Sequence, residues 1–169
     1  HTRLTCDWSS DVCSSDLLLQ TLNSYFHSCE IMLLPAEIES KTLIPALRAI
    51  LAKKLAEEHD IREDEISKML GVTQAAISNY IRGTRGDPSL IAKLLAEKQV
   101  AQLIDELCDH LSSDLAYTPS SLSKFIGLCN YIKSSLLICE IHHNLETNID
   151  EKICKECENM LLKGPGSVY

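Results

Sequence analysis

The sequence predicts an all-α fold: a helix-turn-helix unit followed by a small helical segment rich in cysteine. Three observations carry that expectation. Apolar residues recur at spacings of three and four through most of the chain after residue 40. Val, Ile, Thr and aromatic residues nowhere alternate for long enough to argue a sheet. Clusters of Gly, Pro, Ser and Asp fall between the periodic runs, where helices have to stop.

Each element has its own signal. From Ser40 to His59, Leu43, Ile44, Leu47, Ile50, Leu51 and Leu55 give a helix one buried stripe, with Ser40 as its cap. Pro45 fits that helix if it starts near Thr42, because a proline in the first turn gives up no hydrogen bond. A helix from Arg62 to Leu70 opens with Glu63, Asp64 and Glu65, whose charges complement the positive end of its dipole. The next begins at Thr73, a good N-cap, and runs to Arg82, where Gly83 can stop it. Asp87 and Pro88 start a helix expected to continue to about Leu111. After SSDLAYTPSS, a further helix is expected from Leu122 to about His143, and ICKECENMLL forms a last short one.

The 169 residues suffice for one domain with a real core, or for a small domain plus an appendage. With 45% hydrophobic and 24% charged residues, the composition is that of a soluble globular protein. The formal net charge of −8 excludes a polybasic nucleic-acid coat, so contact with phosphate requires a local basic patch. The stretch CDWSSDVCSSDL within residues 6–17 resembles the read-through translation of a sequencing adapter, and residues 1–31 are read as an artefact or untranslated leader, with Met32 as the start. Without Arg3, Asp7, Asp11, Asp16 and Glu30 there remain 15 basic and 20 acidic residues, a net of −5. No apolar run reaches the roughly 18 to 20 residues that span a bilayer, and no secretory leader is present, so a cytoplasmic protein is expected. The expected organisation is a leader at 1–31, a helix-turn-helix domain at 32–111 and a C-terminal Cys/His-rich helical segment at 112–169.

Gly71 interrupts ISKMLGVTQAAISNYIRGTRG where a helix could have continued. Ile66 and Leu70 before it, and Val72, Ile77 and Tyr80 after it, share one face at the offsets of a helix-turn-helix. Glycine takes positive φ at no Cβ cost and lets the second helix leave at a steep angle, while Ser67 is small at the crossing. The second helix then buries Ala76, Ile77, Tyr80 and Ile81. It leaves Thr73, Gln74, Ala75, Ser78, Asn79 and Arg82 outward. Gln and Asn can bond adenine N6 and N7, and small Ala and Thr methyl groups can meet the thymine methyl in the major groove. Arg82 and Arg85, with Lys68 across the turn and Lys53 and Lys54 as further candidates, can contact phosphate and set register.

The stretch SKMLGVTQAAISNYIRGTRG resembles the helix-turn-helix of the lambda-repressor-like (XRE-type) regulators. The segment from MLLPAEIESKTLIPALRAILAKKL to GTRG is similar to small archaeal predicted transcriptional regulators of that superfamily, over about Met32 to Leu111. The resemblance implies a four- or five-helix domain that binds double-stranded operator DNA as a homodimer, with Thr73 to Arg82 as recognition helix. Many such regulators carry a glutamine at the start of the first motif helix; here Glu63 or Asp64 stands near that place.

The C-terminal part offers Cys139-Glu-Ile-His142 and Cys154-Lys-Glu-Cys157, with Cys129 ten positions upstream of Cys139. A CxxH beside a CxxC suits tetrahedral Zn²⁺, and Cys129, Cys139, Cys154 and Cys157 could alternatively hold an iron–sulfur cluster. His143 is a further candidate ligand. Cys108, in an apolar helical context, reads as a small core residue. This tail also loosely resembles the cysteine- and histidine-containing C-termini of those archaeal regulators, although Asn130, Tyr131 and Ile132 stand where some have a paired cysteine. A metal there would be either structural or a sensor.

The expected function is a sequence-specific DNA-binding transcription regulator, a dimeric repressor with a metal- or redox-responsive tail. The competing reading is a metal-stapled helical adaptor whose Gln/Asn face meets protein. No phosphate loop, GxSxG elbow or HExxH motif points to an enzyme.

Overall fold

The structure, a computed structural model, describes residues 33–114, 118–146 and 149–163. The adapter-like residues 6–17 and the expected start at Met32 lie outside them. Every regular element among the described residues is helical.

The first helix starts earlier than the periodicity indicates. Pro35–Ile38 (α1) runs through a π-helical turn, Glu39–Leu43, into Ile44–Glu57 (α2). Ser40 therefore caps nothing; its hydroxyl donates to the Glu37 carbonyl at 3.0 Å. The wider turn is where Pro45 is accommodated. A proline ring clashes with the carbonyl four residues back in a regular α-helix, and the π turn, closed by the Ile44 N–H on the Glu39 carbonyl, relieves that crowding.

α2 is buried on almost every side, with Ala46, Leu47, Ala49, Ile50, Leu51, Ala52 and Leu55 all in the core. It is the axis around which the remaining helices of this unit pack. These are Glu63–Leu70 (α3), Gln74–Ile81 (α4), Pro88–Ala96 (α5) and Lys98–Asp114 (α6). The loop before α5 crosses α2 closely at Gly86, whose φ is 98°. A Cβ at Gly86 would stand 3.1 Å from Ala49 Cβ and 3.2 Å from Ile91 Cδ1, so a side chain there would push its neighbours apart in a conformation that already favours glycine.

Two expected helices prove to be broken. The run from Pro88 divides at Glu97, whose extended backbone (φ −79°, ψ 111°) redirects the chain. Leu94 on one side and Val100 and Ile104 on the other then all reach the core, which a straight helix of that sequence would not achieve. The helix expected from Leu122 starts instead at Pro119 and ends at Ser134 (α7). A turn at 135–138, with Leu136 at φ 58°, separates it from Cys139–Leu145 (α8). Thr118 and Ser121 form a reciprocal capping box: Ser121 N–H donates to Thr118 Oγ1 at 3.2 Å and Thr118 N–H to Ser121 Oγ at 2.9 Å. The last helix is Glu151–Lys163 (α9).

One buried cluster runs from Leu43 through Leu107, Cys108 and Leu111 to Leu128, Cys129, Ile132 and Ile138, so α7 closes the same core that α2 to α6 build. Polar ties reinforce this closure. Lys133 Nζ lies 2.9 Å from Glu39 Oε2 with both side chains largely covered, and Lys93 pairs with Glu140. No described helix is long and apolar enough to cross a membrane.

Candidate nucleic-acid interface

α3 and α4 are joined by a three-residue turn that behaves as the sequence predicts. Gly71 ends α3 in the left-handed conformation (φ 63°, ψ 37°), and the N–H groups of Gly71 and Val72 both reach the Ser67 carbonyl. Ser67 turns its own hydroxyl onto the Asp64 carbonyl at 2.7 Å, which leaves it compact at the crossing. Thr73 then caps α4: its Oγ1 accepts from Ala76 N–H at 3.2 Å. That bond fixes Thr73 as the start of the projecting helix, so its hydroxyl is already engaged.

Ala76, Ile77 and Tyr80 anchor α4 in the core, with Ile81 half-buried beside them. Gln74 and Ala75 are exposed, as are Thr73 and Arg82 at the ends, and Ser78 and Asn79 are half-buried. The face so presented is amide, methyl and hydroxyl, with one cation at its C-terminal end. It can donate to and accept from base edges in a major groove.

The cations divide into separate places. Arg82 and Arg85 line a groove with Lys53 and Lys54. Lys54 is committed within the protein, however, 2.9 Å from Asp105 Oδ1 and 3.0 Å from Glu58 Oε1. Those two carboxylates push its pKa up. Lys53 stands 4.0 Å from Glu57. Arg82 and Arg85 are the cations of this groove that have no carboxylate partner among the described residues. Arg85 is held over the Tyr80 ring, its guanidinium carbon 5.2 Å from the centroid, a positioning role that spacing did not reveal. Lys68 lies elsewhere, lining a cavity under the Gly71 turn with Arg48.

The cysteine segment is arranged differently from its expectation. Cys129 is buried on the α7 stripe with Leu128 and Ile132. Burial raises its thiol to about 11, and the nearest charges are Glu39 and Lys133. His142 Nε2 is 3.0 Å from Glu146 Oε2, and Glu146 also accepts the Leu33 N–H at 3.1 Å. Cys129 and His142 thus do not join Cys139, Cys154 and Cys157. The reason is helical: Cys129 shares its face with core residues, and consecutive His142 and His143 point about 100° apart, a consequence of 3.6 residues per turn. His143 is the one that turns to α9, its Nε2 3.4 Å from Cys154 Sγ. Cys139 is raised to about 11, by burial first and then by the Cys157 and Cys154 thiols. Burial, followed by Cys154, also raises Cys157. Among the described residues, no three His, Cys, Asp or Glu side chains form a group that could hold a metal ion.

The capped pair of helices, the left-handed glycine between them and the polar projecting face define a helix-turn-helix DNA-binding unit. Residues 53–96 match the family model described as helix-turn-helix, and this segment is a lambda-repressor-like, XRE-type helix-turn-helix. No curated protein and no solved structure matches the chain.

Proposed function

We propose that the chain is a sequence-specific transcription regulator, a dimeric repressor that reads double-stranded operator DNA with α4. The observation that carries this reading is the exposure of Gln74 and Ala75, with Ser78 and Asn79 half-buried beside them, on a helix anchored by Ile77 and Tyr80 and with Arg82 and Arg85 at its end. In such an arrangement the amides discriminate bases while the guanidinium groups grip phosphate. Dimerisation sets two such helices about one DNA turn apart. Genomic binding-site selection with the purified chain, followed by titration of the selected duplex at several salt concentrations, tests it. Affinity that falls steeply with salt and depends on sequence is the expected result. An adaptor whose Gln/Asn face meets protein would give neither.

The proposal extends to a thiol-responsive C-terminal segment. Its support is the contact of α8 with α9, where His143 Nε2 lies 3.4 Å from Cys154 Sγ, with Cys139 on the first of these helices and Cys157 on the second. Thiols so grouped can be oxidised together, and a shift of α8 and α9 would alter how two copies present their recognition helices. Elemental analysis of anaerobically purified protein checks for a resident metal. DNA titration before and after peroxide or chelator treatment checks the response, and unchanged affinity removes this part of the proposal.

A further inference from the structure

Beneath the Gly71 turn, between α2, the end of α3, α6 and α7, lies a cavity of about 330 Å³. Its walls include Met69, Leu107, Leu111 and Phe125, and Gly71 itself forms part of the lining. Arg48 and Lys68 also face it. Both cations lack a carboxylate partner among the described residues. They share this with other cations of the described residues, Arg82 and Arg85 among them, whereas Lys54, Lys93 and Lys133 are each paired across helices. Arg48 is half-buried and Lys68 exposed, which sets the charge toward the open side of an apolar chamber. Apolar walls with a few convergent polar groups are the usual make-up of a small-molecule site, and this volume lies at the small end of the usual range of about 300 to 1,000 Å³.

We propose that this cavity is an effector site for a small organic acid, with its carboxylate between Arg48 and Lys68 and its compact apolar body against Leu70 and Phe125, over the buried Met69 and Leu107. Burial of an uncompensated carboxylate would be costly, and the two cations at the open side offset part of that cost. Met69 and Gly71 belong to the last turn of α3 and to the turn that aims α4, so an occupant touches the element that positions the recognition helix. It also adds negative charge to a chain whose net charge is already −8, and so it opposes approach to phosphate. The acid therefore lowers DNA affinity, and by linkage DNA lowers affinity for the acid. This regulatory arm rests on DNA binding by α4, whereas the site itself does not.

The test uses the full chain labelled with ¹³C-methyl methionine. Met69 reports the cavity, and Met160, exposed on α9, serves as the reference. Phenylacetate and octanoate are the probes, with phenylacetamide and octanamide as neutral controls of the same bodies. Expected are a saturable shift of Met69 with either carboxylate, an unmoved Met160 and no response to the amides. The Arg48→Gln/Lys68→Gln variant should lose that response while keeping its circular dichroism. A Met69 signal indifferent to both carboxylates, or moved equally by the amides, overturns the site. So does a response that persists in the variant. Saturating carboxylate should then weaken binding to the selected duplex by roughly fivefold or more in the parent chain and not in the variant. A Met69 response with unchanged DNA affinity overturns the coupling alone. Failure to bind any duplex overturns the regulator reading and leaves the acid site standing.

Discussion

Arg82 Nη2 donates to the side-chain oxygen of Asn79 at 3.0 Å, while its Nε donates to the Ser78 carbonyl at 3.2 Å. The guanidinium thus fixes the orientation of the amide that the proposed reading places against a base. Asn79→Ala should relax discrimination at one base pair by about 1 to 3 kcal/mol. Arg82→Ala should weaken all duplexes and reduce the salt slope by about 1. Because the two side chains touch, the double variant should be non-additive in a binding cycle measured on one duplex.

Thr73 and Gln74 are neighbours with separable roles. Thr73→Ala removes the cap on Ala76 N–H and should cost about 1 kcal/mol in urea unfolding. Gln74→Ala, at an exposed position, should leave stability within about 0.5 kcal/mol and lower sequence discrimination. Equal losses of stability in the two variants would contradict this division.

The two glycines at positive φ should differ in their tolerance. A Cβ at Gly71 meets nothing within 4 Å, so Gly71→Ala should cost only the strain of the left-handed conformation, about 1 to 2 kcal/mol. Gly71→Val should cost more, because a branched side chain resists that conformation further. Gly86→Ala adds contacts at 3.1 and 3.2 Å to its strain and should exceed Gly71→Ala in the same assay, by about 1 to 3 kcal/mol for the overpacking.

Alkaline pH should destabilise the fold through its buried thiols. Burial raises Cys108 from its ordinary 9.0 to about 12, and Cys129 to about 11. Below pH 9 neither state ionises, and the full stability is present. Above it the unfolded chain releases protons that the folded chain retains, so stability falls by about 1.4 kcal/mol per pH unit for each thiol until the folded values are approached. Cys108→Ala should be less stable at neutral pH, through lost packing, yet show a shallower decline between pH 9 and pH 11. Urea midpoints across that window measure both.

Much of the recognition unit was legible because its signals are local. A left-handed glycine, a threonine cap and apolar residues in phase act within one or two turns, and Gly71, Thr73, Ile77 and Tyr80 stand where those rules put them. Helix ends were less legible where packing overrode pattern. Glu97 carries no breaker signature, yet the chain turns there so that Leu94 and Val100 both reach the core. The π turn before Pro45 is likewise a compromise between a proline and the helix of which it is part.

By itself the sequence determined an all-helical chain, the pivot at Gly71 and the polar character of the helix beyond it, because periodicity, capping and glycine's freedom need no distant partner. Only the tertiary structure decided which charges remain available. Lys54 is taken by Asp105, His142 by Glu146 and Cys129 by the core, while Arg48 and Lys68 have no carboxylate partner among the described residues and line a largely apolar cavity. Partners from separate helices meet through packing, and spacing along the chain carries no record of which of them will do so.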